Sequence, residues 1–280
     1  MAALAALGGG CGSQRQLVHV SQPARWRAEL EARTATVFAT GVLYKPNPAP
    51  FETLASKLAP LIIQQLNAAG TETDGAQFGS VDATQAVDTS QPAVYASDRQ
   101  ISIHGQTHAQ VTFVWCYAPE GTSPGSALIQ GLRITLNRAG APVIWEPLFA
   151  EENLRVIFVA DSLEAAAAGE FGQPLPGRRY SIEPGLEQAP AVFVARVIDD
   201  GPVPMGPMVY LEARTRSITT VLCRCMPAQI RQVTATEQYD VLALEDLISA
   251  SSLLPRRLRA LLRKIERQGD VPNLRLPRLF

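Results

Sequence analysis

Between residues 101 and 160 the chain alternates apolar and polar side chains over short segments, and short turns separate most of these segments. Within residues 111–117, for example, Phe113, Trp115 and Tyr117 occupy alternate positions. A period of two is typical of β-strands that bury one face. Because consecutive strands joined by short turns pair antiparallel, the pattern predicts an antiparallel meander.

A helical spacing of leucine and isoleucine precedes these strands and predicts a helix over about 51–69, with a kink at Pro60. A second helical pattern covers residues 241–268. We therefore expect an α+β fold. Its core element is one largely antiparallel, twisted sheet over about 94–226, with the N-terminal helix and the C-terminal helices packed on it.

The chain has enough apolar material for one large core, since 46% of its 280 residues are hydrophobic. We expect a flexible or signal-like terminus over residues 1–20 and a single α+β domain over 21–280. A polar stretch at 71–92 is a candidate linker within that domain. The residues expected in the core are Phe113, Trp115, Ile134, Trp145 and Phe158.

An apolar stretch of small residues precedes the first cysteine: residues 1–10 read MAALAALGGG, and Cys11 follows. This stretch resembles the end of a bacterial lipoprotein signal, in which the cysteine becomes the lipidated first residue of the mature protein. The resemblance implies lipidation at Cys11 and a place in the bacterial cell envelope. The alternative is a flexible terminus without a role, on a cytoplasmic protein.

Charge is distributed unevenly along the chain. The net charge of −1 argues against electrostatic binding of nucleic acid, but residues 253–280 carry eight Lys or Arg against two acids. In that segment basic residues surround a leucine-rich stripe, which is typical of a helix that binds an anionic membrane surface or a protein partner. The alternative is that the stripe packs on its own domain. The basic residues are Arg256, Arg257, Arg259, Arg263, Lys264 and Arg267.

Two histidines and two cysteines are candidate metal ligands. If residues 105–107 form a three-residue hairpin turn, His104 and His108 face each other across the strands. Cys223 and Cys225 would complete a zinc site with two histidines and two cysteines. The alternative is that the histidines are turn residues and the cysteines are buried free thiols, because a disulfide between cysteines one residue apart would be strained.

The sequence gives weaker support for a catalytic site than for a metal site. Cys116 with His104 or His108 could form a thiolate–imidazole pair, but an extended strand separates Cys116 from His108 by about 25 Å. Glu146 and Asp161 end neighbouring strands and could pair as acids at one rim, or they are surface acids. The sequence therefore favours a non-enzymatic binding or structural module. The alternative is a metal-binding protein or metal-dependent enzyme that uses His104 and His108.

Overall fold

The computed structural model describes residues 25–48, 53–66, 77–81, 87–118, 128–149, 154–188, 190–201, 203–250, 259–260, 262–263, 265, 271–278 and 280. In these ranges thirteen strands form one sheet. The strands are β1 (Phe38–Pro46), β2 (Leu61–Gln65), β3 (Phe78–Val81), β4 (Val87–Asp88), β5 (Ala93–Ile103), β6 (Gln106–Tyr117), β7 (Leu128–Leu136), β8 (Pro142–Pro147), β9 (Leu154–Ala160), β10 (Ala191–Ile198), β11 (Met208–Leu211), β12 (Ile218–Leu222) and β13 (Ile230–Ala243).

Helices are short and few in the same ranges. The four helices are α1 (residues 25–34), α2 (Leu54–Leu58), α3 (Asp161–Phe171) and α4 (Leu244–Ala250). Residues 259–260, 262–263 and 265 are also helical. None of the helices in the described part of the chain combines the length and the apolarity that a membrane crossing requires.

The strand order is β10-β9-β8-β7-β6-β5-β13-β1-β2-β11-β12, with β3 and β4 paired beside this path. Strands β5 to β9 form the antiparallel meander that the alternation predicted. However, four pairings are parallel: β1 with β13, β2 with β11, β5 with β13, and β9 with β10. The prediction of a largely antiparallel sheet with helices packed on it is therefore wrong. The sheet is mixed, curled and nearly closed, and strands dominate the fold.

The predicted helix over 51–69 is the clearest local error. Only α2 is helical there; after Ala59, which has an extended ψ of 127°, the chain continues as strand β2. Pro60 explains the change, because a proline disfavours the helical conformation in the residue before it. Strand β2 pairs with β1 on one side and β11 on the other, so its leucine and isoleucines are largely buried without alternating.

Strand β13 has no counterpart in the sequence prediction, which placed a helix from residue 241. Most side chains of β13 up to Gln238 are exposed on both faces, so no apolar alternation marks it. It nevertheless pairs in parallel with β1 and, through Asp240–Ala243, with β5. Strands β3 and β4 fall within the range 71–92, and β3 pairs with β6. Residues 1–20 lie outside the described ranges.

Helix α1 contacts both end strands of the curled sheet. The Trp26 ring packs edge-on against Phe193 of β10, with 6.4 Å between the centroids. At the other end strand, Arg33 donates from Nη2 to the carbonyl oxygen of Ile218 in β12 at 2.9 Å. An ion pair between Arg27 and the fully buried Glu183, 2.6 Å apart, fixes the helix further. Helix α1 therefore covers the gap between the sheet edges.

One apolar cluster fills the inside of the sheet, and the expected core residues are confirmed. Phe113, Trp115, Ile134 and Phe158 are fully buried, and Trp145 is 6% exposed. A second cluster on the outer face holds Leu244 and Leu247 of α4 with Tyr95, Val114 and Cys116. Burial of aromatic and branched side chains on both faces of these strands stabilises the sheet.

Gly206 provides a test of the packing between the β10–β11 link and the end of α2. A Cβ at this position would overlap the backbone carbonyl oxygens of Leu58 and Ala59, which cannot move as a side chain can. We expect Gly206→Ala to lower the free energy of unfolding by about 1–3 kcal/mol, as overpacking does. Urea-induced unfolding followed by circular dichroism measures the change.

Gly169 is the matched control, because it lies in α3 and a Cβ there would meet nothing within 4 Å. Gly169→Ala should leave stability unchanged or raise it by about 0.5–1 kcal/mol, since alanine favours the helix. Equal stability of Gly206→Ala and the wild type would contradict the described packing.

Candidate functional site

A cavity of about 230 Å³ lies where three connecting segments meet. Its walls come from the turn between β7 and β8, from the link between β10 and β11, and from the turn that follows β12. The lining residues that carry chemistry are Trp145, Asp199, Cys223 and Arg224. Concave sites between connecting segments are where small ligands usually bind.

The link between β10 and β11 is held in place at both ends. At its start, Asp200 accepts hydrogen bonds from the backbone N–H and the hydroxyl of Ser162, at 2.9 and 2.7 Å, at the beginning of α3. At its end, Pro207 accepts the backbone N–H of Leu61 at 2.8 Å. The wall of the cavity is therefore preformed, which lowers the entropy cost of binding a ligand.

Trp145 lies on β8 and contributes an unsatisfied donor to this region. The side chain is 6% exposed, and its Nε1–H has no hydrogen-bond partner among the described residues. Buried indole N–H groups normally find an acceptor.

Arg224 occupies the wall that follows β12. Its Nη2 donates to the carbonyl oxygen of Ala59 at 2.5 Å, while its Nε has no partner in the described part of the chain. Within the same part, no carboxylate lies within ion-pair distance of the guanidinium. Burial lowers the pKa of Arg224 below the usual arginine value, because desolvation disfavours the charged form. An anion in the cavity would compensate this cost.

Cys223 and Cys225 are joined by a disulfide in this structure. The expectation of free thiols is therefore wrong for this pair. Both residues lie in a turn after β12, in which the N–H of Met226 donates to the carbonyl oxygen of Cys223 at 3.0 Å. The turn brings the two side chains together, whereas a continuous strand through these residues would keep them extended.

Asp199 is the acidic group of the cavity that has no assigned structural contact. It is exposed at the end of β10 and forms no hydrogen bond or ion pair with the described residues. Its neighbour Asp200, by contrast, is bonded to Ser162. The cavity therefore combines one guanidinium, one indole ring and two carboxylates, of which that of Asp200 is already bonded to Ser162.

The two histidines take up separate roles on the β5–β6 hairpin. The turn contains two residues, His104 and Gly105, with φ values of 51° and 74°, which is typical of a type I′ turn. The register then pairs His108 with Ile101, so the histidines do not face each other. His104 Nε2–H donates to the carbonyl oxygen of Leu276 at 3.2 Å.

His108 is 2% exposed, and its ring stacks on Phe280 with 4.6 Å between centroids. Its Nδ1–H donates to the carbonyl oxygen of Leu136 at 3.1 Å. Both histidines thus contact the C-terminal segment, while Cys223 and Cys225 bond to each other. Within the described ranges no three His, Cys, Asp or Glu side chains form a group that could hold a metal ion. Zinc binding by the four residues stays a prediction.

The other candidates fall into two groups. Cys11, Arg256, Arg257, Lys264 and Arg267 lie outside the residues whose side chains the structure describes. Arg259 is half-buried and Arg263 is exposed, and the neighbouring Leu262 and Ile265 are buried in the outer apolar cluster. The described part of the leucine stripe therefore packs on its own domain.

Glu146 and Asp161 do not form a pair of acids at one rim of the sheet. Glu146 is buried and accepts from Arg155 Nε at 2.7 Å, and Arg133 also contacts it. Because Ile144 pairs with Val159 in antiparallel register, Glu146 and Asp161 lie about four residues apart along the strands, or ~13 Å. Paired acids of glycoside hydrolases stand closer than that.

Comparisons of this chain with protein-family models, with curated proteins and with solved structures find no match. The residues of the cavity are therefore assigned from geometry alone. Trp145 and Asp199 were missed as site residues by the sequence analysis, while Cys223 and Cys225 were assigned to a different site. One signal was present: the link over 199–207 is rich in proline and glycine and joins two buried strands, as ordered functional loops often do.

Cys116 offers a test of the outer cluster and of the thiolate–imidazole alternative. Complete burial raises the pKa of its thiol to about 12, because no charge stabilises the thiolate in the apolar surroundings. The reactive thiolate should therefore be absent at pH 8 and appear only as the pH approaches 12. We expect iodoacetamide at pH 8 to leave Cys116 unmodified in the native protein and to alkylate it after unfolding in urea.

Peptide mapping by mass spectrometry identifies the modified cysteine. Rapid alkylation of Cys116 in the folded protein at pH 8 would show that the thiol is accessible and ionised, contrary to the described burial.

Proposed function

We propose that this protein is a non-enzymatic binding module that holds a small carboxylic acid in the cavity beside Trp145 and Arg224. The observation that carries the proposal is that Trp145 and Arg224 line one preformed cavity, and that each holds a buried nitrogen donor without a partner among the described residues. Leaving a buried donor without an acceptor costs about 1–3 kcal/mol, and more for a charged group. A carboxylate oxygen would recover this free energy on binding.

The size and charge of the cavity limit the ligand. Its volume of about 230 Å³ lies below the ~300–1,000 Å³ that is usual for drug-sized ligands, so a molecule of a few heavy atoms fits best. The Asp199 carboxylate on the same cavity disfavours a dianion such as sulfate. An amino or hydroxy acid suits both groups, because its amine or hydroxyl can donate to Asp199 while its carboxylate accepts from Arg224.

The test uses acetate, glycine and lactate as probes on the purified full chain. Ligand-observed NMR and isothermal titration calorimetry measure binding at millimolar probe concentrations. We expect glycine or lactate to bind more tightly than acetate. Replacement of Arg224 by glutamine should weaken this binding about tenfold, since it removes a charge-assisted hydrogen bond.

Two further variants separate binding from folding. Trp145→Phe keeps the aromatic ring but removes the N–H, and should weaken binding about fivefold. Arg263→Gln removes an exposed arginine that lies away from the cavity and should leave the affinity unchanged. The proposal fails if none of the three probes binds, or if Arg224→Gln and Arg263→Gln bind them equally well.

A further inference from the structure

The Cys223–Cys225 disulfide joins one buried and one exposed cysteine at the wall of the cavity. Cys223 is 8% exposed and lines the cavity, whereas Cys225 is an exposed residue. Thiol–disulfide exchange requires that a thiolate reach a sulfur atom from solvent. The exposed position of Cys225 meets this requirement in the folded protein.

A structural role does not account for this disulfide. A disulfide that restrains the unfolded chain stabilises more as the loop that it closes becomes longer. Here a single residue, Arg224, separates the two cysteines. The turn is also held by the hydrogen bond between Met226 and Cys223 without the covalent link. The pair therefore adds little to the restraint of the fold.

The surroundings of Cys223 favour it as a leaving group. The backbone N–H of Cys225 donates to Cys223 Sγ, with 3.2 Å between nitrogen and sulfur. Such a donor stabilises a sulfur that gains negative charge, and a more stable thiolate leaves faster. Gly201 also leaves space beside the sulfur, because a Cβ at that position would lie 3.2 Å from Cys223 Sγ.

We propose that Cys223 and Cys225 form a redox-active dithiol–disulfide site whose substrates are small thiols that carry a carboxylate. In the first step, the substrate thiolate attacks Cys225 Sγ; a mixed disulfide forms there, and Cys223 leaves as a thiolate. A second substrate thiol then attacks the mixed disulfide and releases the substrate disulfide. Two electrons pass from the two substrate thiols to the protein, and the two protons that these thiols lose end on Cys223 and Cys225.

The choice of substrate class rests on the proposed function, whereas the redox chemistry does not. Arg224 stands between the two cysteines and lines the same cavity. It would hold the carboxylate of the substrate while the thiolate reaches Cys225. A neutral thiol lacks this contact and should react more slowly.

The experiment treats the oxidised, full-length protein under native conditions with mercaptoacetate, which is anionic, and with mercaptoethanol, which is neutral. Acid quenching, alkylation with a maleimide and peptide mapping identify the opened cysteines. We expect both thiols to open the pair, with the mixed disulfide on Cys225 and the new free thiol on Cys223. We also expect Arg224→Gln to slow mercaptoacetate about tenfold and to leave the rate with mercaptoethanol nearly unchanged.

Two results would overturn the redox site. One is a pair that stays closed in both native reactions and opens only in denaturant. The other is a pair that remains as two free thiols after equilibration with oxidised glutathione. Neither result affects the binding of glycine or lactate, so each is distinct from failure of the proposed function.

A third result separates the redox site from its preference for thiols that carry a carboxylate. If the pair opens equally fast with both thiols in the wild type and in Arg224→Gln, the redox site stands. The carboxylate preference is then wrong, and loss of binding of the small acids would show that the proposed function fails with it. A mixed disulfide on Cys223, with the alkylated thiol on Cys225, would overturn the assigned order of attack.

Discussion

Strand β13 holds the sheet together. It lies between β1 and β5 and pairs in parallel with both, so it is the link between the strands β5–β10 and the strands β1, β2, β11 and β12. Tyr239, at the point where β13 passes from one neighbour to the other, is fully buried and donates to the carbonyl oxygen of Pro60 at 2.6 Å. Burial raises the pKa of its phenol, so the hydroxyl remains a donor at any ordinary pH. The two groups of strands thus share one core.

The cavity lies beside that junction, because Arg224 on its wall donates to the carbonyl oxygen of Ala59, the neighbour of Pro60. One wall comes from β8 and the turn before it, and another from the turn after β12. The β10–β11 link crosses from the first group to the second and supplies the remaining wall. Strand β13 joins the groups through backbone hydrogen bonds, whereas side chains and turns meet at the cavity.

The sequence predicts the elements whose pattern is local and one-sided. Strands β5 to β9 alternate in polarity or form short apolar runs between turns. Strand β2 was predicted as helix because Leu61 and Ile62 continue a helical spacing and because pairing on both sides removes the alternation. Pro60 was the residue that indicated the end of the helix, because a proline disfavours the helical conformation in the residue before it. Strand β13 was missed because its exposed faces are polar.

Parallel pairing and the site depend on long-range contacts that no local pattern encodes. Asp240 pairs with Ala93 although more than a hundred residues separate them. The cavity likewise joins Trp145 to Arg224 across five strands of the chain order. The sequence marked the two cysteines as chemically notable but assigned them to zinc, because the turn that joins them could not be distinguished from a strand end.

The central claim is that β13 lies between β1 and β5, and backbone NMR on deuterated protein tests it most directly. The account predicts cross-strand nuclear Overhauser effects between Ala93–Ala96 and Asp240–Ala243, in the running order of parallel strands. It also predicts the corresponding contacts between Thr40 and Gln232 on the other side. Nuclear Overhauser effects from β5 to β6 alone, or between β5 and β13 in antiparallel order, would contradict the described sheet. They would also contradict the described position of the cavity.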